Sequence, residues 1–161
     1  MYRIEKALQA LASKMNWISM AAVFAMMAVT VVDVVLRFLR LSIPGTYDIV
    51  GLLGAVVISF SLAYTSVEKG HIAVEFLIQK LSERTRSVID ALTSLAGTLF
   101  FAIATWRCAL YALDFLKSGE VSMTIKMPVY PFVLGTALGC ALLTAVLAVG
   151  CIRTTREAFK K

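Results

Sequence analysis

Histidine is all but missing from this sequence. His71 is the only one, which excludes bis-histidine haem ligation within one chain, and no set of Cys, His and acidic residues has the spacing of a zinc site. Cys108, Cys140 and Cys151 form no Cys-x-x-Cys pair and fall inside apolar stretches. They read as small packing residues, since a cysteine nucleophile would want a nearby base and His71 belongs at the opposite face from Cys108. No cofactor, metal site or catalytic group is expected, and the chain does not read as an enzyme. Charge is scarce as well: 16% of residues are charged, against about 25% in soluble domains, which leaves no room for a separate soluble domain. The net charge of +6 does not point to nucleic acid, because the bases are spread between apolar runs rather than gathered in one tract.

What is present is a rhythm of four uncharged stretches, Met15 to Val32, Ile49 to Val67, Ala91 to Trp106 and Met127 to Ile152, in a chain that is 60% hydrophobic with mean hydropathy +0.84. Each is long enough, or nearly so, to cross the roughly 30 Å hydrocarbon core of a bilayer as a helix of about 20 residues. The fold class expected is therefore an all-α integral membrane protein in one membrane domain, with spans over residues 16–37, 47–67, 88–113 and 128–152 and a basic tail over 153–161. The charged start resembles a signal peptide, but the apolar run behind it continues to Leu36 with only Asp33 interrupting. That is longer than the 7 to 15 residues of a signal-peptide core, so it reads as a retained first span.

Orientation follows from lysine and arginine in the short loops. Eleven lie at the N-terminus (Arg3, Lys6, Lys14), in the middle loop (Lys69, Lys80, Arg84, Arg86) and at the C-terminus (Arg153, Arg156, Lys160, Lys161), against four (Arg37, Arg40, Lys117, Lys126) on the other side. Both termini and the middle loop are expected in the cytoplasm. The loops around Arg37 to Asp48 and Asp114 to Lys126 then face outward. Two further segments carry helical periodicity: Ile4, Leu8, Leu11 and Met15 within residues 1–15, and Val74, Leu77, Ile78 and Leu81 within 71–83. Both are expected as amphipathic interfacial helices on the cytoplasmic surface. For residues 1–15, a simple extension of the first span fits equally well; for 71–83, Gly70 and the polar run Ser82 to Ser87 favour a separate helix.

Ionisable groups inside spans need an explanation, because a charge at mid-membrane costs at least about 2.5–3.5 kcal/mol. Asp33 falls near the outer end of the first span and Arg107 about two turns inside the outer end of the third. Their depths roughly match, so they are candidates for an interhelical ion pair, although Arg37 at i+4 competes for Asp33. One acid without a second at its depth is a poor start for a proton or ion relay. Gly135 and Gly139 form a GxxxG pattern suited to close helix approach, and Pro128 and Pro131 fit the first turn of the last span.

The stretches Asp33-Val34-Val35-Leu36-Arg37-Phe38, Tyr47-Asp48-Ile49 and Glu68-Lys69-Gly70-His71-Ile72-Ala73-Val74-Glu75, with Met127-Pro128-Val129-Tyr130-Pro131 and Gly135, resemble the small membrane subunit of tripartite ATP-independent periplasmic (TRAP) transporters, the DctQ-like family. In that family an Arg ends the first span, an acidic pair opens the second, and a Gly-His-Ile-x-Val-Asp/Glu segment follows it. The first of the two acidic positions is Tyr47 here, so only Asp48 carries over. The resemblance spans essentially the whole chain, and its most specific part is Gly70-His71-Ile72.

This resemblance implies a small subunit in the bacterial inner membrane, bound in the lipid bilayer to a large multi-span permease that carries substrate and sodium. A periplasmic binding protein would deliver an organic acid to that pair. The small subunit would serve chiefly as a scaffold, with Arg37, Asp48 and His71 the positions that the resemblance singles out. Around them, Asp33, Arg107, Gly135 and Gly139 are structural or interface candidates. Arg40, Lys117, Glu120 and Lys126 in the outer loops are candidates for docking the binding protein. Two rivals are the small four-span subunit of another tripartite carboxylate transporter and a membrane anchor or redox enzyme subunit using Asp33 and Arg107. Spans that serve a partner need not close into a four-helix core.

Overall fold

A computed structural model of the chain describes residues 2–41, 43–67 and 83–158. Four helices make up nearly all of it: α1, Tyr2–Phe38; α2, Thr46–Val67; α3, Glu83–Ser118; and α4, Tyr130–Ala158. Each contains a segment long and apolar enough to cross a membrane. The protein is thus all-α and of membrane type, as its composition demands. His71 and the interfacial helix expected over 71–83 lie outside the described residues, apart from Glu83.

No glycine or proline occurs between Tyr2 and Phe38, so nothing interrupts α1, and residues 2–15 continue into the first span without a turn. Its 37 residues make a rod of about 55 Å at 1.5 Å per residue, well beyond a bilayer core. α1 ends in a Schellman closure: the Leu41 N–H donates to the Leu36 carbonyl at 2.9 Å and the Arg40 N–H to the Arg37 carbonyl at 3.0 Å. Arg40 takes the left-handed conformation (φ 59°) usually left to glycine. α3 ends with glycine in the same role, Gly119 at φ 65°, as the Glu120 N–H reaches back to the Phe115 carbonyl.

Between α3 and α4 the chain makes a small hairpin in which Val121 faces Pro128. The Ser122 N–H donates to the Met127 carbonyl and the Val129 N–H to the Glu120 carbonyl. Pro128 therefore occupies a non-hydrogen-bonded position, where its missing N–H costs nothing. Pro131 does stand in the first turn of α4; Pro128 stands two residues before that helix.

The four helices form an open row: α1 packs on α2, α2 on α4, and α4 on α3, while α1 only grazes α4. In lipid, apolar helices gain nothing from hiding apolar surface from water, so close approach at small residues decides which faces meet. Along α1 the residues turned toward α2 are Ala12, Ser19, Met26 and Asp33, seven residues apart, and of these Ala12 and Ser19 are small. Ala12 packs with Ala63, the Ser19 hydroxyl donates to the Val57 carbonyl at 3.2 Å, and the Met26 methyl lies 3.7 Å from where a Cβ on Gly54 would stand. Gly135 and Gly139 put α4 onto α2. A Cβ at 139 would come within 2.8 Å of the Ser59 backbone, while one at 135 would meet only the Val56 side chain at 3.4 Å. Between α3 and α4, the Thr105 and Thr144 hydroxyls lie 3.4 Å apart. The small core of Ala12, Ala63, Leu142 and Leu143 sits where α1, α2 and α4 converge.

Candidate functional site

Most of the polar organisation among the described residues lies at the end where α1 passes to α2 and α3 to α4, the outer end by the charge count. The last turns of α1 bring Asp33 and Arg37 onto one face, as an i, i+4 spacing must. Arg37 Nε donates to Asp33 Oδ2 at 2.8 Å, with Nη2 also 2.8 Å from the same oxygen. The other carboxylate oxygen accepts the Ile43 N–H at 2.9 Å, and the Ile43 carbonyl in turn accepts the Thr46 hydroxyl at 3.1 Å. Asp33 is buried. It thus ties the α1–α2 loop to the end of α1 and gives a buried charge the paired, hydrogen-bonded surroundings it requires.

Asp48 does the equivalent for the other loop. It sits in the first turn of α2, where a carboxylate suits the helix dipole. Its Oδ2 accepts the Ser122 hydroxyl and the Thr124 N–H, the latter at 3.1 Å. Nearby, Gly45 (φ 85°) holds the turn before α2 so closely against Ile125 that any Cβ would collide with it. The two outer loops are therefore locked to one another through Asp48 and Gly45. Tyr47 places its ring 5.7 Å from the Arg37 guanidinium. Where the resemblance has a first acid, this chain offers the arginine an aromatic face, which also attracts a cation.

Asp33, Arg37 and Asp48 are thus brought together at one end. Arg107 is not part of that group: α3 is not a neighbour of α1 in the row, and Asp33 is satisfied by Arg37. The Arg107 guanidinium lies 5.9 Å from the Tyr111 ring centroid, on an exposed part of α3. Gly135 and Gly139 face α2 of the same chain. Arg40, Lys117, Glu120 and Lys126 are all exposed in or beside the outer loops, with Met123 fully exposed at the hairpin tip. His71 lies outside the described residues. Sequence reasoning missed Ile43, Ser122 and Thr124 as partners of the aspartates, because backbone donors and loop hydroxyls carry no pattern of their own. The seven-residue spacing of Ala12, Ser19, Met26 and Asp33 was a legible signal for the α1 face.

No cluster of three or more potential metal ligands occurs among the described residues. A groove between α1 and α2 lined by Met26, Met27, Thr30, Val31 and Val50 has no group to recognise an anion. Most hydroxyls inside the spans bond to carbonyls of the preceding turn, as Thr30 does to Met26 and Thr136 to Phe132, and the Ser19 hydroxyl bonds across to Val57 of α2. The geometry suits holding helices and loops in place.

The family model of tripartite ATP-independent periplasmic transporters, DctQ component, matches residues 26–157. The chain belongs to this family. The match takes in Asp33, Asp48, Arg37, Arg107, Gly135 and Gly139. No curated protein and no solved structure matches the chain. As a DctQ component it is the small subunit of a TRAP transporter and a multi-pass membrane protein. The family is a transporter component rather than an enzyme family, and membership implies a tripartite assembly with a large permease and a binding protein.

Proposed function

We propose that this DctQ subunit is the fixed scaffold of a secondary transporter that takes up an organic acid across the bacterial inner membrane. A sodium gradient drives the uptake, and the large permease carries both substrate and ion. The observation that carries this reading is the open row of unbroken spans. Transport cores place substrate and ion at interrupted helices near the bilayer midplane, where half-helix ends and unwound carbonyls coordinate them, whereas α1, α2, α3 and α4 each run without interruption through their apolar segments. Such a row offers wide flanks to a partner and no interior to a substrate. Arg40, Lys117, Glu120 and Lys126, exposed beside loops locked by Asp48 and Gly45, help dock the binding protein on a platform that does not yield. The interfacial helix expected over residues 71–83 widens the membrane footprint.

The test is uptake into proteoliposomes holding the large permease and supplied with binding protein, with and without this chain, under an imposed sodium gradient. Uptake is expected only when all three components are present and to collapse with the gradient. Unchanged uptake without this chain would sink the scaffold reading; transport by this chain alone would sink the division of labour.

A further inference from the structure

α3 leaves one face bare. Leu92, Leu99, Ile103, Trp106, Leu110 and Leu113 are all exposed, and from Leu99 onward they follow one another at alternating steps of four and three. That is the 3.5-residue period of a seam that fits knobs into the holes of a facing helix. Arg107 borders this seam, one turn from Ile103 and Leu110. Its guanidinium rests near Tyr111, and among the described residues no carboxylate lies within ion-pair distance of it; the ion pair present there is Asp33–Arg37. Counting from Asp114, Arg107 lies about 10 Å into the span. An arginine at such a depth almost always faces protein or a water-filled cavity, and pairs there.

A second observation concerns the spans as a set. Of the four, the α3 segment Leu92–Ser118 is the least hydropathic and also the least covered by its own chain. A helix that met lipid on its bare face would be expected to show the opposite relation. α1 does: its bare face, with Phe24, Met27 and Val31, belongs to a span of much higher hydropathy with no charge from Met15 to Val32. The face of α1 suits lipid, and the face of α3 suits protein.

We infer that the bare face of α3 seats a membrane helix of the large permease, and that an Asp or Glu on that helix pairs with Arg107. The placement rests on the scaffold reading above and adds to it which helix of the row meets the partner and which charge sets the register. A carboxylate is the matching group because Arg presents a rigid fork of donors that a carboxylate accepts in two parallel bonds.

The test uses the full chain co-expressed with its large permease. A photo-crosslinking residue is placed at Ile103 or Leu110 on α3, and at Phe24 or Met27 on α1 as a control, and the linked peptides are identified by mass spectrometry. Crosslinks to a permease helix are expected from α3 and not from α1. In parallel, Arg107→Glu is expected to lower the yield of co-purified permease about tenfold, with Arg107→Lys retaining most of it. Changing the acid on the linked peptide to Lys should restore the yield with Arg107→Glu. Gel filtration of each variant alone separates loss of partner from loss of fold, and the crosslinks with Arg107 intact do not depend on any variant folding. A complex that forms while α3 crosslinks only to lipid, or while a well-folded Arg107→Glu variant co-purifies undiminished, overturns the placement and leaves the scaffold reading standing. Failure of the unmodified chain to co-purify with the permease would remove both.

Discussion

Asp33 carries two jobs in one side chain, holding Arg37 with one oxygen and the Ile43 N–H with the other. Replacing it by Asn keeps an oxygen for Ile43 but presents Arg37 with a neutral group. Replacing it by Ala abandons both and leaves the part-buried Ile43 N–H without its partner, which is the more expensive outcome. Thermal unfolding in detergent is therefore expected to rank wild type above Asp33→Asn and Asp33→Ala lowest; equal midpoints for the two variants would refute the double role. Arg40 tests a different idea. Its left-handed backbone costs a non-glycine residue roughly 1–2 kcal/mol, part of which glycine would give back through its greater freedom in the unfolded chain. Arg40→Gly is expected to stabilise the protein by about 1 kcal/mol while weakening the response of uptake to binding protein.

The elements are joined by contacts too fine to tolerate a methyl group in one place and loose enough to accept it one turn away. Gly139 lies against the Ser59 backbone, which cannot rotate aside, whereas Gly135 faces the Val56 side chain at an ordinary distance. Gly139→Ala is expected to push α4 from α2 and lower stability by about 1–3 kcal/mol, the usual range for overpacking, with Gly135→Ala close to neutral. Midpoints from thermal denaturation of the two variants check this, and a greater loss at Gly135 would contradict the helix register. The same register explains why the GxxxG pattern alone was ambiguous. Two glycines four apart mark one face of a helix, but an apolar helix in lipid can offer that face to any neighbour, in this chain or another.

At the scale of the whole row, the two outer loops are the best-organised polar surface among the described residues. If the platform docks a binding protein through charge, reversal of Arg40 and Lys126 to Glu should raise the concentration of binding protein needed for half-maximal uptake by about tenfold. The saturated rate should change little, and the effect should shrink as salt screens the surface. A fall in the saturated rate alone would point to damage in the permease contact instead. Four uncharged runs and sparse charge were enough to make this an all-helical membrane protein, because the bilayer admits few solutions for a backbone that must satisfy its own hydrogen bonds. The resemblance in the Asp33–Arg37, Asp48 and Gly70-His71-Ile72 segments named the family that the match over residues 26–157 establishes. What only the tertiary structure decided is neighbourhood: that Asp33 takes Arg37 and not Arg107, that Asp48 reaches the Ser122 and Thr124 loop, and that Gly139 meets Ser59. Those choices turn on ångström-scale fit between surfaces of nearly uniform polarity. The amount and placement of apolar surface is written along a sequence, whereas the fit between two such surfaces exists only once both are folded and side by side.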